Sequence, residues 1–440
     1  DDVESRGLGD VYKRQIIKTG YGKCDDRTAL VTMALRSVGI PAAFEFVPYW
    51  GSNNNGHSFV SIILPDNKIY PLQNTDKQAN GDYYLSRKTP KIYRKMYSIQ
   101  DLAKHIDNIP ELFRHNDLLD VTKLHNIGSC DVTVSTNINK EKENFLSVFS
   151  PKRWVPVAFS SSQTFHHIGT GNIYNVDRNK EAIDLGDGIV YLPTHWVNEE
   201  AIPIGSPIIV SEDSVREIKP DTKHLERVVC KRKFPLNMRI VDFSKLMIMG
   251  VFEGANKADF SDATELYKIT KTPESKMQKI EISAEKAYRY IRYRKPKGTF
   301  SIAEFCLYQS DEKLLPFHPI ACDAIYEDST MLNIFDGQPL TYYQVSGGID
   351  LWVGVDLYKP VKISKIGFAP RNDDNAIVST DTYELFYWQD QWISLGRKRP
   401  IGDSVVYDNV PQKALLWLRN LTKGREERPF TYENGKQIWW

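Results

Sequence analysis

The chain has 440 residues, too many for a single ordinary hydrophobic core, and this length predicts about two to four domains. Apolar residues make up 41% and charged residues 26%, as in globular proteins, and the formal net charge is only +1. This near-neutrality argues against a protein that binds nucleic acid or an anionic membrane through its overall charge. No run of apolar residues is long enough to span a bilayer as a helix.

Near its start the chain predicts one helix followed by strands. Apolar residues recur at helical spacing over 28–36, and Val38-Gly39-Ile40-Pro41 ends the pattern. Residues 43–47 and 59–64 have the composition of strands, and Pro65-Asp66-Asn67-Lys68 predicts a hairpin turn into a third strand.

Five cysteines are scattered along the chain without the spacing of a metal or redox motif. They are Cys24, Cys130, Cys230, Cys306 and Cys322. Neither a CxxC pair nor a cysteine–histidine cluster is present in the sequence, which therefore predicts no metal site.

Cys24 and His57 are the candidate catalytic residues. Cys24 lies at the start of the predicted helix, where unpaired N–H groups and the helix dipole favour the nucleophilic thiolate. His57 opens a predicted strand after the turn-rich segment Gly51–Asn55, so its imidazole can face a cleft at the sheet edge. Taken singly, such residues are more often a packing cysteine and a surface histidine, but together they form a candidate nucleophile and base.

These motifs resemble the core of the transglutaminase-like superfamily. The resemblance covers about residues 20–76 and rests on Gly22-Lys23-Cys24-Asp25-Asp26, then Leu35–Ala42, then Gly56-His57-Ser58-Phe59. Members share a papain-like cysteine–histidine–aspartate arrangement and include protein cross-linkers, peptide N-glycanases, peptidases and inactive relatives. The resemblance implies that Cys24 is the nucleophile and His57 the general base.

The third member of the expected catalytic set is left open by the sequence. In the family an Asp usually follows at the end of the next strand, where it orients the imidazole. Gln73 stands closest to that place, and Asn74 or Asp76 could also reach the ring. An amide can hold a histidine tautomer but stabilises the imidazolium less than a carboxylate does. The helices that precede the cysteine in family members are almost absent, so the core is expected to be N-terminally truncated.

The implied reaction is acyl transfer. The thiolate attacks an amide carbonyl, the imidazolium protonates the leaving amine, and water or an amine resolves the thioester. Water would give a peptidase or amidase and a lysine amine would give a cross-linker, and no residue decides between them. The alternative is a catalytically inactive protein that binds glycans or mediates adhesion.

Beyond about residue 120, short apolar runs separated by Gly, Asn and Asp predict β-sandwiches. A weak internal repeat matches residues 265–267 with 384–386 and residues 286–292 with 413–419, which predicts two copies of one sandwich. Chance similarity between strands is the alternative.

The chain from about Pro235 onward resembles the discoidin, or coagulation-factor type C, galactose-binding-like jelly roll. The order of Ile334–Gly337, Val355–Leu357 and Tyr383–Trp388 carries this resemblance, which implies binding of glycans or cell-surface material. The candidate ligand loop, rich in side-chain oxygens, consists of Asn372, Asp373, Asp374 and Asn375. The same residues are ordinary turn formers. No cofactor is expected except a structural calcium ion in a discoidin-like domain.

The expected fold class is therefore multidomain, a truncated α+β transglutaminase-like core followed by all-β sandwich or jelly-roll domains. The expected segments are a non-native or disordered leader (1–15), the core (16–82), a helical connector (83–119), a β-sandwich (120–228), a divergent or partial discoidin-like sandwich (229–312) and a discoidin-like jelly roll (313–440). The expected partners are a protein or peptide substrate and glycans or cell-surface material, without nucleic acid. The domain resemblance implies an exported bacterial protein, periplasmic, cell-surface or secreted.

Overall fold

The computed structural model describes residues 15–20, 22–66, 68–72, 87–100, 109–125, 127–134, 143–173, 182–282, 286–310, 317–322, 329–424 and 426–440. The protein is mostly β and multidomain. It divides into two compact units, one formed by Asp1–Pro235 with Ile377–Trp440 and the other by Leu236–Ala376. None of the helices in these described ranges is long and apolar enough to cross a membrane.

The predicted helix and hairpin lie at the start of the first unit. Helix α1 spans Cys24–Ser37. The strands of the first sheet are β1 (Ala42–Val47), β2 (His57–Ile63), β3 (Ile69–Leu72), β4 (Tyr93–Lys95) and β5 (Leu118–Asp120). They form an antiparallel sheet in the order β3-β2-β1-β4-β5, and α1 packs on β1 and β2. The helix and the strands predicted from residues 28–36, 43–47 and 59–64 are thus all present.

Residues 83–119, expected to be a helical connector, contribute strands β4 and β5 to this sheet instead. A short 3-10 helix, Glu111–Phe113, lies between these two strands. The side chains of Tyr93 and Phe113 belong to one buried cluster with Phe145 from a later strand. Burial against distant residues therefore determines the conformation of this stretch, which the polar local sequence does not indicate.

Two further sheets of the first unit share one core. Their strands are β6 (Ile127–Thr133), β7 (Asn144–Phe149), β8 (Trp154–Ser160), β9 (Thr164–Ile173), β10 (Ile189–Val197), β11 (Glu200–Pro203), β12 (Ile208–Val210) and β13 (Val215–Glu217). Strands β6 and β9 pair with each other, while the larger sheet has the order β13-β12-β10-β7-β8, with β11 on β10. Val132 and Phe165 from the smaller sheet pack with Val148 and Tyr191 from the larger one. This is the face-to-face packing of a β-sandwich.

The second unit also consists of two sheets around one core. It contains helix α2 (Met238–Lys245) and strands β15 (Val251–Ala255), β16 (Thr264–Lys268), β17 (Gln278–Glu281), β18 (Tyr288–Lys297), β19 (Phe300–Tyr308), β20 (His318–Ala321), β21 (Tyr343–Val345), β22 (Ile349–Val361) and β23 (Lys365–Pro370), and a 3-10 helix, Ser329–Phe335. The sheet orders are β16-β15-β18-β22-β20 and β17-β23-β19-β21. Because β18 pairs with β22 and β19 pairs with β23, strands on both sides of residue 312 share each sheet. The boundary expected at 312–313 therefore falls inside one unit.

The C-terminal strands belong to the first unit. They are β24 (Tyr383–Gln389), β25 (Gln391–Lys398), β26 (Val405–Gln412), β27 (Leu416–Asn420), β28 (Pro429–Glu433) and β29 (Lys436–Trp439). Strand β26 pairs with β14 (Asp221–Cys230), and the other five form a sheet in the order β25-β24-β27-β28-β29. Val228 and Cys230 pack with Leu385 and Leu418 in one buried cluster. Residues 313–440, expected as one jelly roll, are thus divided between the two units because the last strands bury their apolar side chains against β14.

The segments that suggested an internal repeat occupy different positions in their sheets. Strands β16 and β18 both pair with β15, so they lie on either side of it. Strands β24 and β27 pair directly with each other. The similarity in sequence therefore reflects strand composition and does not correspond to equivalent sheet positions.

Candidate active site

Cys24 is the first residue of α1 and is half-buried. The helix begins here because Lys23 has an extended backbone and its N–H donates a hydrogen bond to the carboxylate of Asp26 at 3.2 Å. The first N–H groups of a helix have no acceptors within the helix. The thiol therefore lies beside donors of the kind that can stabilise an oxyanion formed on a bound acyl group.

His57 opens β2, and its imidazole ring stacks between two aromatic side chains. The ring centroids of Trp50 and Phe59 lie 6.1 and 6.3 Å from that of His57. Burial lowers the pKa of His57, the positive charge of Arg87 lowers it further, and the carboxylate of Asp25 acts in the opposite direction. Since the pKa lies below its usual value of 6.5, the imidazole is neutral at pH 7 and can accept a proton.

Cys24 and His57 line the same cleft, which has a volume of about 1250 Å³. The next residues along the chain also meet, because the hydroxyl of Ser58 donates a hydrogen bond to the carboxylate of Asp25. Within the described residues no hydrogen bond joins the sulfur of Cys24 to the ring of His57. Catalytic hydrogen bonds in unliganded sites are often long and tighten only when substrate binds. The structure thus brings the two predicted residues to one cleft.

The predicted third member, Gln73 with Asn74 or Asp76 as alternatives, lies outside the described residues. Strand β3 ends at Leu72, which lies opposite Val60 of β2. The two strands are antiparallel, so the chain at Leu72 runs toward the end of β2 at which His57 lies. The role of these three residues therefore stays a prediction.

Much of the cleft lining comes from segments that the sequence did not connect with the site. Its residues include Arg114, His115, Asp117, Arg153, Trp196 and Glu199. They come from the segment between β4 and β5, from the turn before β8, from strand β10 and from the β10–β11 turn. The one cue in the sequence is the Trp in strand β10, a large aromatic side chain close to the end of the strand. Nothing in the local sequence could have assigned the others to the cleft, since their separation from Cys24 exceeds the range of any periodic pattern.

The cleft has an aromatic wall with charges of both signs near it. Phe44 and Phe46 project from β1 into the cleft, and the ammonium group of Lys95 lies 5.1 Å from the ring centroid of Phe44. Arg114 and Glu199 approach within 3.9 Å of each other and are both exposed, so this pair contributes little to stability. The lining of the cleft therefore combines aromatic rings with charges of both signs.

A buried acid–base network lies on the same face of the sheet as His57. The carboxylate of Glu45 accepts hydrogen bonds from Ser61 at 2.5 Å, from Arg94 at 2.8 Å and from His125 at 2.8 Å. Burial opposes ionisation of Glu45, yet the hydrogen bonds from His125 and Ser61 and the charge of Arg94 hold its pKa below the usual value. The His125 ring packs edge-on against Phe59, and Phe59 stacks on His57. The network therefore packs against an aromatic ring that contacts the imidazole of His57.

The candidate ligand loop lies in the second unit. Three of its residues, Asn372, Asp374 and Asn375, are buried. The side-chain oxygen of Asn372 accepts from the N–H of Asp374 at 2.9 Å, and that of Asp373 accepts from the N–H of Asn375 at 3.2 Å. These contacts are Asx turns, which use two of the loop's oxygens to close the backbone. Ligand binding by this loop stays a prediction.

All five cysteines have free thiols. In the described part of the chain no group of three or more His, Cys, Asp or Glu residues has the arrangement of a metal site.

Comparison with protein families supports the resemblance around Cys24 and His57. The model of the transglutaminase-like superfamily matches residues 4–73, less than a fifth of the chain. The matched segment contains α1 and β1–β3, and so both candidate catalytic residues. Such domains are typical of papain-like cysteine enzymes. No curated protein and no solved structure matches the chain significantly.

Proposed function

We propose that the protein is a cysteine-dependent acyl-transfer enzyme or amidohydrolase that acts on amide bonds of a protein or glycopeptide. The observation that carries this proposal is the meeting of Cys24, at a helix N-terminus, and His57, at a strand start, in one cleft. The similarity of residues 4–73 to the transglutaminase-like superfamily supports the same assignment.

In the proposed mechanism His57 takes the proton of Cys24, and the thiolate attacks the amide carbonyl to form a carbon–sulfur bond. His57 then donates its proton to the amine as the carbon–nitrogen bond breaks, leaving a thioester. Water or a second amine gives a proton to His57 and attacks the thioester, which releases the thiolate of Cys24. One of Gln73, Asn74 and Asp76 would orient the ring.

We further propose that the β-rich parts of the chain bind glycans or cell-surface material and that the protein is exported. The resemblance of the second half to discoidin-type domains motivates this assignment, and the fold of Leu236–Ala376, two sheets around one core, is compatible with it. A glycan array probed with the full chain tests the assignment. Binding to a defined set of glycans is expected, and the absence of binding would contradict it.

The second candidate function is that of an inactive relative that only binds. One observation favours it: the positive charge of Arg87 disfavours the imidazolium of His57, which the thiolate–imidazolium form of such sites requires. The carboxylate of Asp25 acts against this effect.

Alkylation by iodoacetamide separates these two functions. Under the catalytic proposal Cys24 reacts near neutral pH faster than Cys130 and Cys322, which are also half-buried, as quantified by peptide mass spectrometry. The His57→Gln variant should lose this advantage, whereas His166→Gln, a change at an exposed histidine on β9, should keep it. Equal rates at Cys24 and Cys130 in the folded protein would contradict the catalytic proposal.

Incubation with dimethylcasein and a fluorescent alkyl amine then identifies the acceptor. Incorporation of the amine that depends on Cys24 indicates transfer to amines. Release of ammonia or of new peptide termini without incorporation indicates hydrolysis.

A further inference from the structure

Much of the segment before His57 is buried, although its sequence Gly51-Ser52-Asn53-Asn54-Asn55 is typical of a flexible turn. Gly51, Ser52 and Asn54 are buried, Asn53 is half-buried and Asn55 is exposed. The N–H of Trp50 donates to the carbonyl of Asn55 at 2.9 Å, which closes the loop. The N–H of Asn55 donates to the hydroxyl of Ser150 at 3.0 Å, and the N–H of Gly51 donates to the carbonyl of Lys88 at 2.8 Å. The loop that carries His57 is therefore fixed by residues distant in sequence.

Arg428, at the entry to β28, lies behind this loop and is 1% exposed. Its guanidinium donates hydrogen bonds to the carbonyl of Gly51, to that of Asn53 at 3.0 Å, to that of Phe149 and to that of Trp440 at 2.5 Å. One side chain from the C-terminal sheet thus links the His57 loop, the end of β7 and the last residue of the chain.

A positive charge in this position is unfavourable by itself. The acceptors that surround the guanidinium are main-chain carbonyls, and burial lowers the pKa of Arg428 to about 9. A lysine or an apolar residue could fill the space, but only the planar fork of arginine can pair with several carbonyls at fixed angles. If the guanidinium were absent, the buried carbonyl of Gly51 and the half-buried carbonyl of Asn53 would both lose this donor.

The contacts continue from Arg428 to the imidazole. Gly51, an acceptor of Arg428, follows Trp50, whose buried ring stacks on His57. We infer that Arg428 is a positioning residue, which holds Gly51 and Asn53 so that the ring of His57 faces the cleft beside Cys24. This inference rests on the proposed function, since it assigns to a C-terminal residue control over the geometry of the catalytic pair.

The test compares two replacements of Arg428 with a matched control in the full chain. Arg428→Lys keeps the charge but not the fork, and Arg428→Gln keeps two N–H donors without the charge. The control is Lys295→Met in the second unit, which removes another buried cation that donates to a main-chain carbonyl, that of Leu246 at 2.9 Å. Three measurements are made: hydrogen exchange of residues 51–56, the titration of His57 by NMR, and the alkylation rate of Cys24.

In the folded Arg428 variants we expect residues 51–56 to lose protection from hydrogen exchange and the titration of His57 to shift. Cys24 should be alkylated about 10- to 100-fold more slowly than in the wild type, because small displacements of a catalytic group have effects of this size. Lys295→Met should lower the melting temperature without changing these three values. A folded Arg428 variant with native protection and a native His57 titration would overturn the inference. It would also be overturned if neither Arg428 variant folds while Lys295→Met does, because the arginine would then serve the whole fold.

Failure of the proposed function gives a different pattern. In that case wild-type Cys24 alkylates no faster than Cys130, whereas the exchange and NMR measurements still report whether Arg428 holds the loop.

Discussion

The hydroxyl of Ser58 donates a hydrogen bond to the carboxylate of Asp25, so the residue after His57 is joined directly to the residue after Cys24. The contact links the first turn of α1 to the start of β2. It therefore restrains the separation of the two candidate catalytic residues. It also occupies one oxygen of the Asp25 carboxylate, whose charge raises the pKa of His57.

Ser58→Ala should therefore slow the alkylation of Cys24. A hydrogen bond to a charged group contributes about 1.5–3 kcal/mol, so its loss lets the helix start and the strand separate, and we expect a rate about tenfold lower. The rate is measured with iodoacetamide at pH 7. Ser147→Ala is the matched control, since it removes a buried serine hydroxyl that forms a hydrogen bond with Thr194 and does not line the cleft. Equal effects of the two changes would show that the Asp25 contact has no special role.

Arg87→Gln should raise the pKa of His57, because the change removes a positive charge that disfavours the imidazolium. The pKa is obtained from the NMR shift of the His57 ring proton as a function of pH, assigned with His57→Gln. Lys95→Gln serves as control, since Lys95 lines the cleft but its charge is not among those that shift His57. An unchanged titration in Arg87→Gln would contradict the assignment.

Asp25→Asn should move the same titration in the opposite direction. The carboxylate favours the imidazolium, so its neutralisation leaves burial and Arg87 unopposed and lowers the pKa of His57 further. A pKa that rises in Asp25→Asn would mean that the carboxylate acts on His57 mainly through the local structure.

Glu45→Gln should destabilise the first unit by about 3 kcal/mol, as measured by urea unfolding at pH 7, because it leaves the buried Arg94 without its anionic partner. The effect should depend on pH. The pKa of Glu45 is lowered on folding, so its stabilising contribution is complete above about 4.5 and is lost as the pH falls through the folded-state pKa. The difference in stability between wild type and Glu45→Gln should therefore shrink below pH 4.5. A difference that stays constant down to pH 3 would contradict this account.

Gly56→Ala should disturb His57 directly. A methyl group at this position would lie 2.3 Å from the carbonyl oxygens of Val47 and Pro48, so the backbone before His57 must shift. We expect a loss of stability of about 1–3 kcal/mol and a slower reaction of Cys24. Unfolding and alkylation are measured on the same preparation, and a native alkylation rate would show that the hairpin absorbs the shift without moving the imidazole.

The first part of the fold follows from local sequence. Helix α1, the strands β1 and β2 and the hairpin into β3 were predicted within a few residues, because apolar spacing and turn formers act over short distances. The motifs around Cys24 and His57 could be assigned for the same reason. The division of the β-rich part into units could not be predicted from local sequence. Strand β14 pairs with β26, and in the sequence the entire second unit lies between these two strands.

By itself, the sequence determined the candidate nucleophile and base, because both belong to short motifs whose residue types carry the chemistry. Only the tertiary structure decided what surrounds them: the cleft lining with Arg153 and Trp196, the burial of Gly51, Ser52 and Asn54, and the guanidinium of Arg428 behind the loop. The physical reason is that a buried loop and a buried charge are stable only through partners supplied by distant segments. No periodic pattern in the sequence identifies these distant segments.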